Sequence, residues 1–355
     1  MKPEETRTVF WEDGQVCMIN QPLIPLKFEI VRYDTYQQVA DAIRTMVVRG
    51  APAIGAAAGF GMALAAARSQ ASSVEALIAE LRTARDVLAK SRPTAVNLFW
   101  ALDRCMRLAE GGAWESVEAL QAAMLQEAQR IADEDIEINK RMGEHGAALV
   151  PDGATIIHHC NTGSLATVGW GTALGVIRTA ALVQGKKIHV LVDETRPRLQ
   201  GARLTAWELV QAGIPHTIIA DGASGHYMRR HGVDLCLVGA DRIAANGDVA
   251  NKIGTYNLAV LAKENGVPFY SVAPWSTIDL SVMHGDLIEI EERSEDEVKF
   301  IRGEQIAPLE SPAGNPAFDV TPHHYLSGII TEYGVIRPPF NVNLARLAEE
   351  IAGRS

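Results

Sequence analysis

The sequence predicts an α/β protein in two parts. A smaller, mainly helical N-terminal domain preceded by short β-strands covers residues 1–145, and a Rossmann-like parallel-sheet domain covers residues 146–355. Three observations carry that reading. From about residue 150, short apolar runs alternate with helix-like stretches at the spacing of strand–helix–strand units. Before that point, apolar residues recur at helical spacing. At the start, brief apolar runs are separated by turn residues, which is the pattern of strands.

Each element can be justified in order. Thr8–Trp11, Gln15–Ile19 and Lys27–Val31 read as three short strands. Val39, Ile43, Met46 and Val47 form an i, i+4, i+7, i+8 stripe, and Val74, Leu77, Ile78, Leu81 and Leu88 form another. Residues 93–110 and 114–142 read as two further helices. The strands of the parallel sheet are predicted at Thr155–His158, Ile188–Val192, His216–Ala220, Leu235–Val238 and Phe269–Ala273. In such sheets ligands bind at the carboxyl ends of the strands. Those ends carry Cys160, Asp193-Glu194-Thr195-Arg196, Asp221-Gly222, Asp241-Arg242 and Pro274-Trp275-Ser276. Polar, reactive residues thus recur at one end of successive strands.

Composition narrows the function. The 355 residues are 47% apolar and 21% charged, as in an ordinary soluble globular protein with room for two cores. Cys17, Cys105, Cys160 and Cys236 are widely spaced with no C-x-x-C pair, which suits a reducing cytoplasm. The start, MKPEETRTVFWEDG, is acidic and lacks the apolar segment of a signal peptide. Charges or glycines interrupt the apolar runs, so no membrane segment is expected. A net charge of −10, with no basic cluster longer than a dipeptide, argues against nucleic-acid binding. No G-x-G-x-x-G follows the first strand and no G-x-x-x-x-G-K-[ST] occurs, so no nucleotide cofactor is expected. His158-His159 and His323-His324 lack metal-ligand spacing, so no metal is expected either.

Five stretches carry candidate chemistry. Cys160 stands where the run Ala154–Ile157 stops and a Gly-containing turn reads as the opening of a long small-residue helix. The partial positive charge of a helix N-terminus would lower the thiol's pKa and suit it to attack or proton transfer. A free cysteine is as often simply buried. Arg49-Gly50-Ala51-Pro52 precedes the small and apolar run Gly55–Ala67, where backbone N–H groups and a guanidinium can hold phosphate. On spacing alone, a tight helix–helix connection with a surface arginine is preferred there. Ser91-Arg92-Pro93-Thr94 repeats the design. Asp241 ends an apolar strand, where it either caps a turn or, if buried, keeps its proton at neutral pH. Asn251-Lys252, ahead of the apolar run Tyr256–Ala262, reads as a phosphate or hydroxyl ligand pair, or equally as a solvated cap.

With these motifs in hand, the chain resembles the S-methyl-5-thioribose-1-phosphate isomerase family, which is related to the alpha, beta and delta subunits of the translation factor eIF2B. The resemblance runs from about residue 6 to 345. It rests on Arg49–Gly55, Arg92-Pro93-Thr94, His159–Gly163, Asp193–Pro197 with Gln200-Gly201, Val238–Arg242, Asn251–Thr255 and Asn315–Pro322, in that order. It implies that Cys160 and Asp241 are the catalytic pair and that Arg49, Gly50, Ala51, Arg92, Gln200, Asn251 and Lys252 bind substrate. It further implies a homodimer, and the cysteine usage and the missing nucleotide and metal motifs add a cytoplasmic location and no cofactor. The implied reaction converts S-methyl-5-thio-α-D-ribose 1-phosphate to the corresponding ribulose 1-phosphate in methionine salvage, with 5-deoxyribose 1-phosphate as a further substrate. Two alternatives are a ribose-1,5-bisphosphate isomerase and a non-catalytic regulatory subunit like those of eIF2B. The first would need a cationic cluster beyond Arg49, Arg92 and Lys252. The second has no use for both Cys160 and Asp241.

Overall fold

A computed structural model describes residues 7–93 and 95–353; Thr94 of the Arg92-Pro93-Thr94 motif lies outside the described residues. The chain divides into two units. The first runs up to Asn139 and also takes in Gly163–Gly171, and the second comprises Lys140–Thr162 and Thr172–Ser355. The division therefore falls within a helix at Asn139–Lys140, where the sequence placed one boundary at 145.

The first unit opens with an antiparallel sheet of β1 (Val9–Glu12), β2 (Gln15–Ile19) and β3 (Ile30–Tyr33), hydrogen-bonded in that order. Five helices follow: α1 (Tyr36–Arg44), α2 (Ala51–Arg68), α3 (Val74–Ala89), α4 (Val96–Gly111) and α5 (Val117–Ala147). Thr35 and Gln38 form a capping box that starts α1. Its stripe is shorter than the sequence predicted, because Met46 turns to a φ of 61° and leaves Met46 and Val47 beyond the helix end. The core is built around α2, whose whole run Ala53–Ala66 is buried. By length and composition α2 could cross a membrane. Here α1, α3 and α4 cover it instead. Its glycines admit the neighbours: a Cβ on Gly55 would lie 3.0 Å from the Asn97 carbonyl oxygen.

The second unit contains, in order, β4 (Thr155–His158), α6 (Ala173–Arg178), β5 (His189–Asp193), α7 (Ala206–Ala212), β6 (His216–Ile219), α8 (Ser224–His231) and β7 (Leu235–Val238). It continues with β8 (Arg242–Ala244), β9 (Val249–Lys252), α9 (Thr255–Glu264), β10 (Phe269–Val272), β11 (Ile278–Asp279), α10 (Asp296–Lys299), β12 (Phe300–Ile301) and β13 (Glu304–Gln305). It closes with β14 (Phe318–Thr321), β15 (Gly328–Thr331), β16 (Gly334–Ile336) and α11 (Phe340–Ala352). The main sheet runs β16-β15-β10-β7-β4-β5-β6. Every neighbouring pair in it is parallel except β15 with β16. A smaller sheet, β11-β8-β9-β14, has strands too short and too polar to stand out in the sequence.

From β4 the chain steps outward to β5 and β6, then crosses back and builds β7, β10 and β15 on the other side. The winding direction therefore reverses between β4 and β7, the place where doubly wound sheets bind ligands. One expectation fails near this point. No long helix opens at Gly163; residues 163–172 form a loop with one 3-10 turn, Ser164–Ala166, and the helix begins at Ala173. The cause is Thr162, whose carbonyl accepts the Thr172 N–H at 2.8 Å and whose hydroxyl accepts the Leu174 N–H at 2.9 Å. These bonds occupy N–H groups at the start of α6.

Candidate active site

His158 pairs with Leu237 across β4 and β7, so the chain beyond each strand emerges at the same sheet edge. Cys160 follows β4 and Asp241 follows β7, one on each side of the reversal. Gln200 follows β5, on the other flank of β4. Asn251 and Lys252 end β9, and the half-buried Asp241 is tied to that strand by its N–H, which donates to the Ala250 carbonyl at 2.9 Å. The predicted residues of the second unit thus gather along one edge. Arg49, Gly50, Ala51 and Arg92 belong to the first unit. There Gly50 has a φ of 96°, and a Cβ on it would lie 2.3 Å from the Ala166 carbonyl oxygen, so only glycine fits. Arg49 and Arg92 are half-buried, the first just ahead of α2 and the second between α3 and α4.

Cys160 is 7% exposed and adopts a left-handed φ of 68°, uncommon for any residue but glycine. Its N–H donates to Thr195 Oγ1 at 2.9 Å, and its carbonyl accepts from Thr205 Oγ1 at 2.7 Å. The other three cysteines are ordinary core residues. Burial pushes the Cys105 thiol up to about 12 and holds Cys236 well above the usual range. Burial also raises Cys17, against the pull of Arg32.

The two histidines ahead of Cys160 differ. His158 Nδ1 lies 2.8 Å from the Leu237 carbonyl, so Nδ1 carries the proton, and burial lowers its pKa to about 4. His159 lies between two acceptors, Asp193 Oδ2 and the Ile253 carbonyl, each 2.9 Å from a ring nitrogen. Burial opposes charge on this ring. The bonded Asp193 carboxylate, the nearby Asp221 and the Ile253 carbonyl outweigh it and raise the imidazole's pKa. His159, Asp193 and Asp221 bring ligand atoms within 4.8 Å of one another. Those atoms are already engaged: Ser224 Oγ donates to Asp193, and the Thr195 and Arg196 N–H groups donate to the two Asp221 oxygens, all at 2.7 Å. The arrangement is a hydrogen-bonded web.

The loop leaving β5 fits tightly against that web. A Cβ on Gly201 would fall 1.8 Å from the Asp193 carbonyl oxygen. A π-helical turn, Gly201–Thr205, then leads into α7. Such turns are frequent at functional sites. Gln200 is buried, and its Oε1 has no hydrogen-bond partner among the described residues. Across the edge, Asn251 Nδ2 donates to Thr255 Oγ1 at 2.9 Å. Lys252 Nζ donates to the Ala317 carbonyl at 2.7 Å and stands 4.5 Å from the centre of the Phe318 ring. Asn251 and Lys252 are strand residues, so the solvated-cap reading of this pair does not hold.

A model of the initiation factor 2 subunit family matches residues 47–338. The chain belongs to that family. It is 57% identical to methylthioribose-1-phosphate isomerase 2 of Pseudothermotoga lettingae, over 97% of this chain and 98% of that protein. The crystal structure of 5-methylthioribose 1-phosphate isomerase from Pyrococcus horikoshii superposes with a TM-score of 0.92 at 50% identity, covering 98% of each chain. A structure described as the translation initiation factor eIF-2B, subunit delta, from A. fulgidus superposes at 0.87 with 46% identity, covering 97% of this chain and all of that one.

In this member of the initiation factor 2 subunit family, the sequence reading passed over Thr205 and Glu208, and quoted Asn161 and Thr195 without giving them a role. All four are buried. Asn161 Nδ2 donates to Thr205 Oγ1 at 3.1 Å and to Glu208 Oε1 at 2.8 Å. The local signals were a polar residue just after a strand-end aspartate at Thr195 and one just after the strand-end cysteine at Asn161. Thr205 and Glu208 gave none, because they fall in what reads as an amphipathic helix.

Proposed function

We propose that this chain is an aldose–ketose isomerase that converts S-methyl-5-thio-α-D-ribose 1-phosphate to S-methyl-5-thio-D-ribulose 1-phosphate in methionine salvage. One observation carries the reading: Cys160 and Asp241 leave adjacent strands on the two sides of the sheet's reversal point. The substrate's anomeric carbon is masked by phosphate, so the ring cannot open unaided. Asp241 donates a proton to the ring oxygen as the C1–ring oxygen bond breaks. The C2 hydrogen then moves to C1 while the C2 hydroxyl loses its proton and becomes the ketone. Cys160 serves this transfer either as the base of a proton route through a cis-phosphoenolate or by polarising an oxygen during a hydride shift. Substrate-binding roles go to Arg49, Gly50, Ala51, Arg92, Gln200, Asn251 and Lys252. The buried Oε1 of Gln200, without a partner among the described residues, is an acceptor open to a substrate hydroxyl and supports its part.

The similarity to the A. fulgidus structure favours a second reading, a regulatory subunit without catalysis. The protein is also proposed to be a cytoplasmic homodimer that engages neither membrane nor nucleic acid. The net charge of −10 supports the last point, and exposed Tyr256 and Val260 along α9 support self-association. The deciding experiment measures kcat/KM of the purified protein alone on methylthio-, deoxy- and 5-phospho-ribose 1-phosphates. The methylthio sugar should be the best substrate, with the deoxy sugar also turned over. A best rate on the bisphosphate would overturn the substrate, and no turnover of any would favour the regulatory reading.

A further inference from the structure

Cys160 is a residue whose backbone must be held. A left-handed, non-glycine residue persists only where its surroundings over-determine it. Two threonine hydroxyls supply that restraint, one on each side of the residue, and both threonines are fully buried. Thr195 Oγ1 donates its own proton to the Asp193 carbonyl at 3.0 Å, which turns a lone pair toward the Cys160 N–H. Thr205 Oγ1 commits its proton to the Cys160 carbonyl, while a lone pair takes the Asn161 amide proton. Neither hydroxyl can reverse its polarity without leaving a buried partner unmade. Thr195 is itself left-handed, at φ 65°, and Asp221 fixes its N–H. Both hydroxyls come from the single connection between β5 and α7, which also carries Gln200.

We propose that Thr195 and Thr205 are positioning residues that clamp the strained Cys160 backbone and so aim its sulfur. The proposal rests on the assignment of Cys160 to the reaction. Its geometry would stand even if the substrate were a different aldose phosphate. Thr→Val keeps shape and removes only the hydroxyl, so the clamp can be opened without emptying the site.

The experiment compares Thr195→Val, Thr205→Val and the corresponding Thr→Ser variants for kcat, KM and the rate at which iodoacetamide alkylates Cys160. Either valine should lower kcat about tenfold or more while KM stays within about threefold, and should change the alkylation rate. Serine should restore kcat to within about threefold. Folded valine variants with unchanged kcat and alkylation, a loss confined to KM, or a failure of serine to rescue would each overturn the clamp. If a valine variant does not fold, the same change is made in Cys160→Gly, where the left-handed φ costs nothing. Recovery of a cooperative melt in that background supports the clamp, and no recovery overturns it. Cys160→Ala is assayed alongside: full activity in that variant would defeat the catalytic assignment itself, whereas inactive Cys160→Ala with fully active valine variants defeats only the clamp.

Discussion

Helix α2 and the turn around Cys160 are both buried, for opposite reasons. From Ala53 to Ala66, α2 offers only small and apolar side chains, and its burial is driven by a non-directional force roughly proportional to area. Around Cys160 the buried residues include Thr195, Thr205, Asn161, Asp193, Glu208 and His159, each of which must meet a partner at hydrogen-bond distance. The first region tolerates changes that keep volume. The second is sensitive to single atoms, because a lost partner leaves a polar group stranded.

The largest effect that would sharpen this contrast is on turnover. Asp241→Asn and Cys160→Ser alter single atoms and should each cut kcat about 10²–10⁴-fold, with melting temperatures within a few degrees of the parent. A folded variant that loses less than about tenfold would remove its residue from the acid–base chemistry.

Next comes backbone fit, tested by adding one methyl group to each region. Gly201→Ala drives a Cβ against the Asp193 carbonyl oxygen, a backbone atom with no room to move. It should cost about 3 kcal/mol or more. Gly61→Ala in α2 meets only the tips of Leu88 and Val39, at 3.0–3.2 Å. Those side chains can shift, and alanine's helix propensity offsets part of the strain, so the net change should stay within about 1 kcal/mol. Urea unfolding measures both, and equal costs would erase the distinction.

The smallest effect is on pH dependence, where a histidine beside the Cys160 turn and an aspartate of α5 have opposite signs. Burial holds His158 neutral, with a pKa of about 4 against 6.5 when unfolded. The unfolded chain takes up that proton first, so the stability contribution is present above 6.5 and is lost as pH falls through 4. In α5, burial raises Asp135 to about 7 from 3.8, against hydrogen bonds from the Val168 N–H and Asn139. Here stability is greatest below 3.8 and is lost as pH rises through 7. Asp135→Asn should therefore raise the melting temperature at pH 8, with the gain vanishing near pH 4. His158→Asn should flatten the acid limb of the same curve whatever it does to the midpoint. Parallel curves for variant and parent would refute either assignment.

Much of this was legible in the sequence, and what was not has identifiable causes. Thr155–His158 and Leu235–Val238 match their predicted bounds because strands buried on both faces read as continuous apolar runs. Their ends located Cys160 and Asp241, Asn251-Lys252 stood out as a candidate ligand pair, and Gln200 came from the family resemblance alone. The misread stretches are those where a side chain overrides propensity. Thr162 takes N–H groups at the start of α6, so the glycine-rich stretch after Cys160 stays a loop. Asp193 and Asp221 were read at their strand ends, but their web with His159 was not, because it depends on side-chain hydrogen bonds between neighbouring strands. Thr205 was hidden for a further reason: its role depends on a hydroxyl bonding the carbonyl of a residue far away in sequence.

The loop Gly163–Gly171, which belongs to the helical unit, has a consequence for how the protein is made. The Val168 N–H donates to Asp135 at 2.7 Å, its carbonyl accepts the Thr8 N–H at 2.9 Å, and the Leu165 carbonyl accepts from Gln21 Nε2 at 2.7 Å. A ribosome delivers Thr8, Gln21 and Asp135 well before it delivers these partners. The helical unit cannot finish its hydrogen bonding when its last helix emerges, and must wait until β4, Cys160 and the loop beyond them have followed. Completion of the helical unit therefore depends on residues synthesised after the second unit has begun.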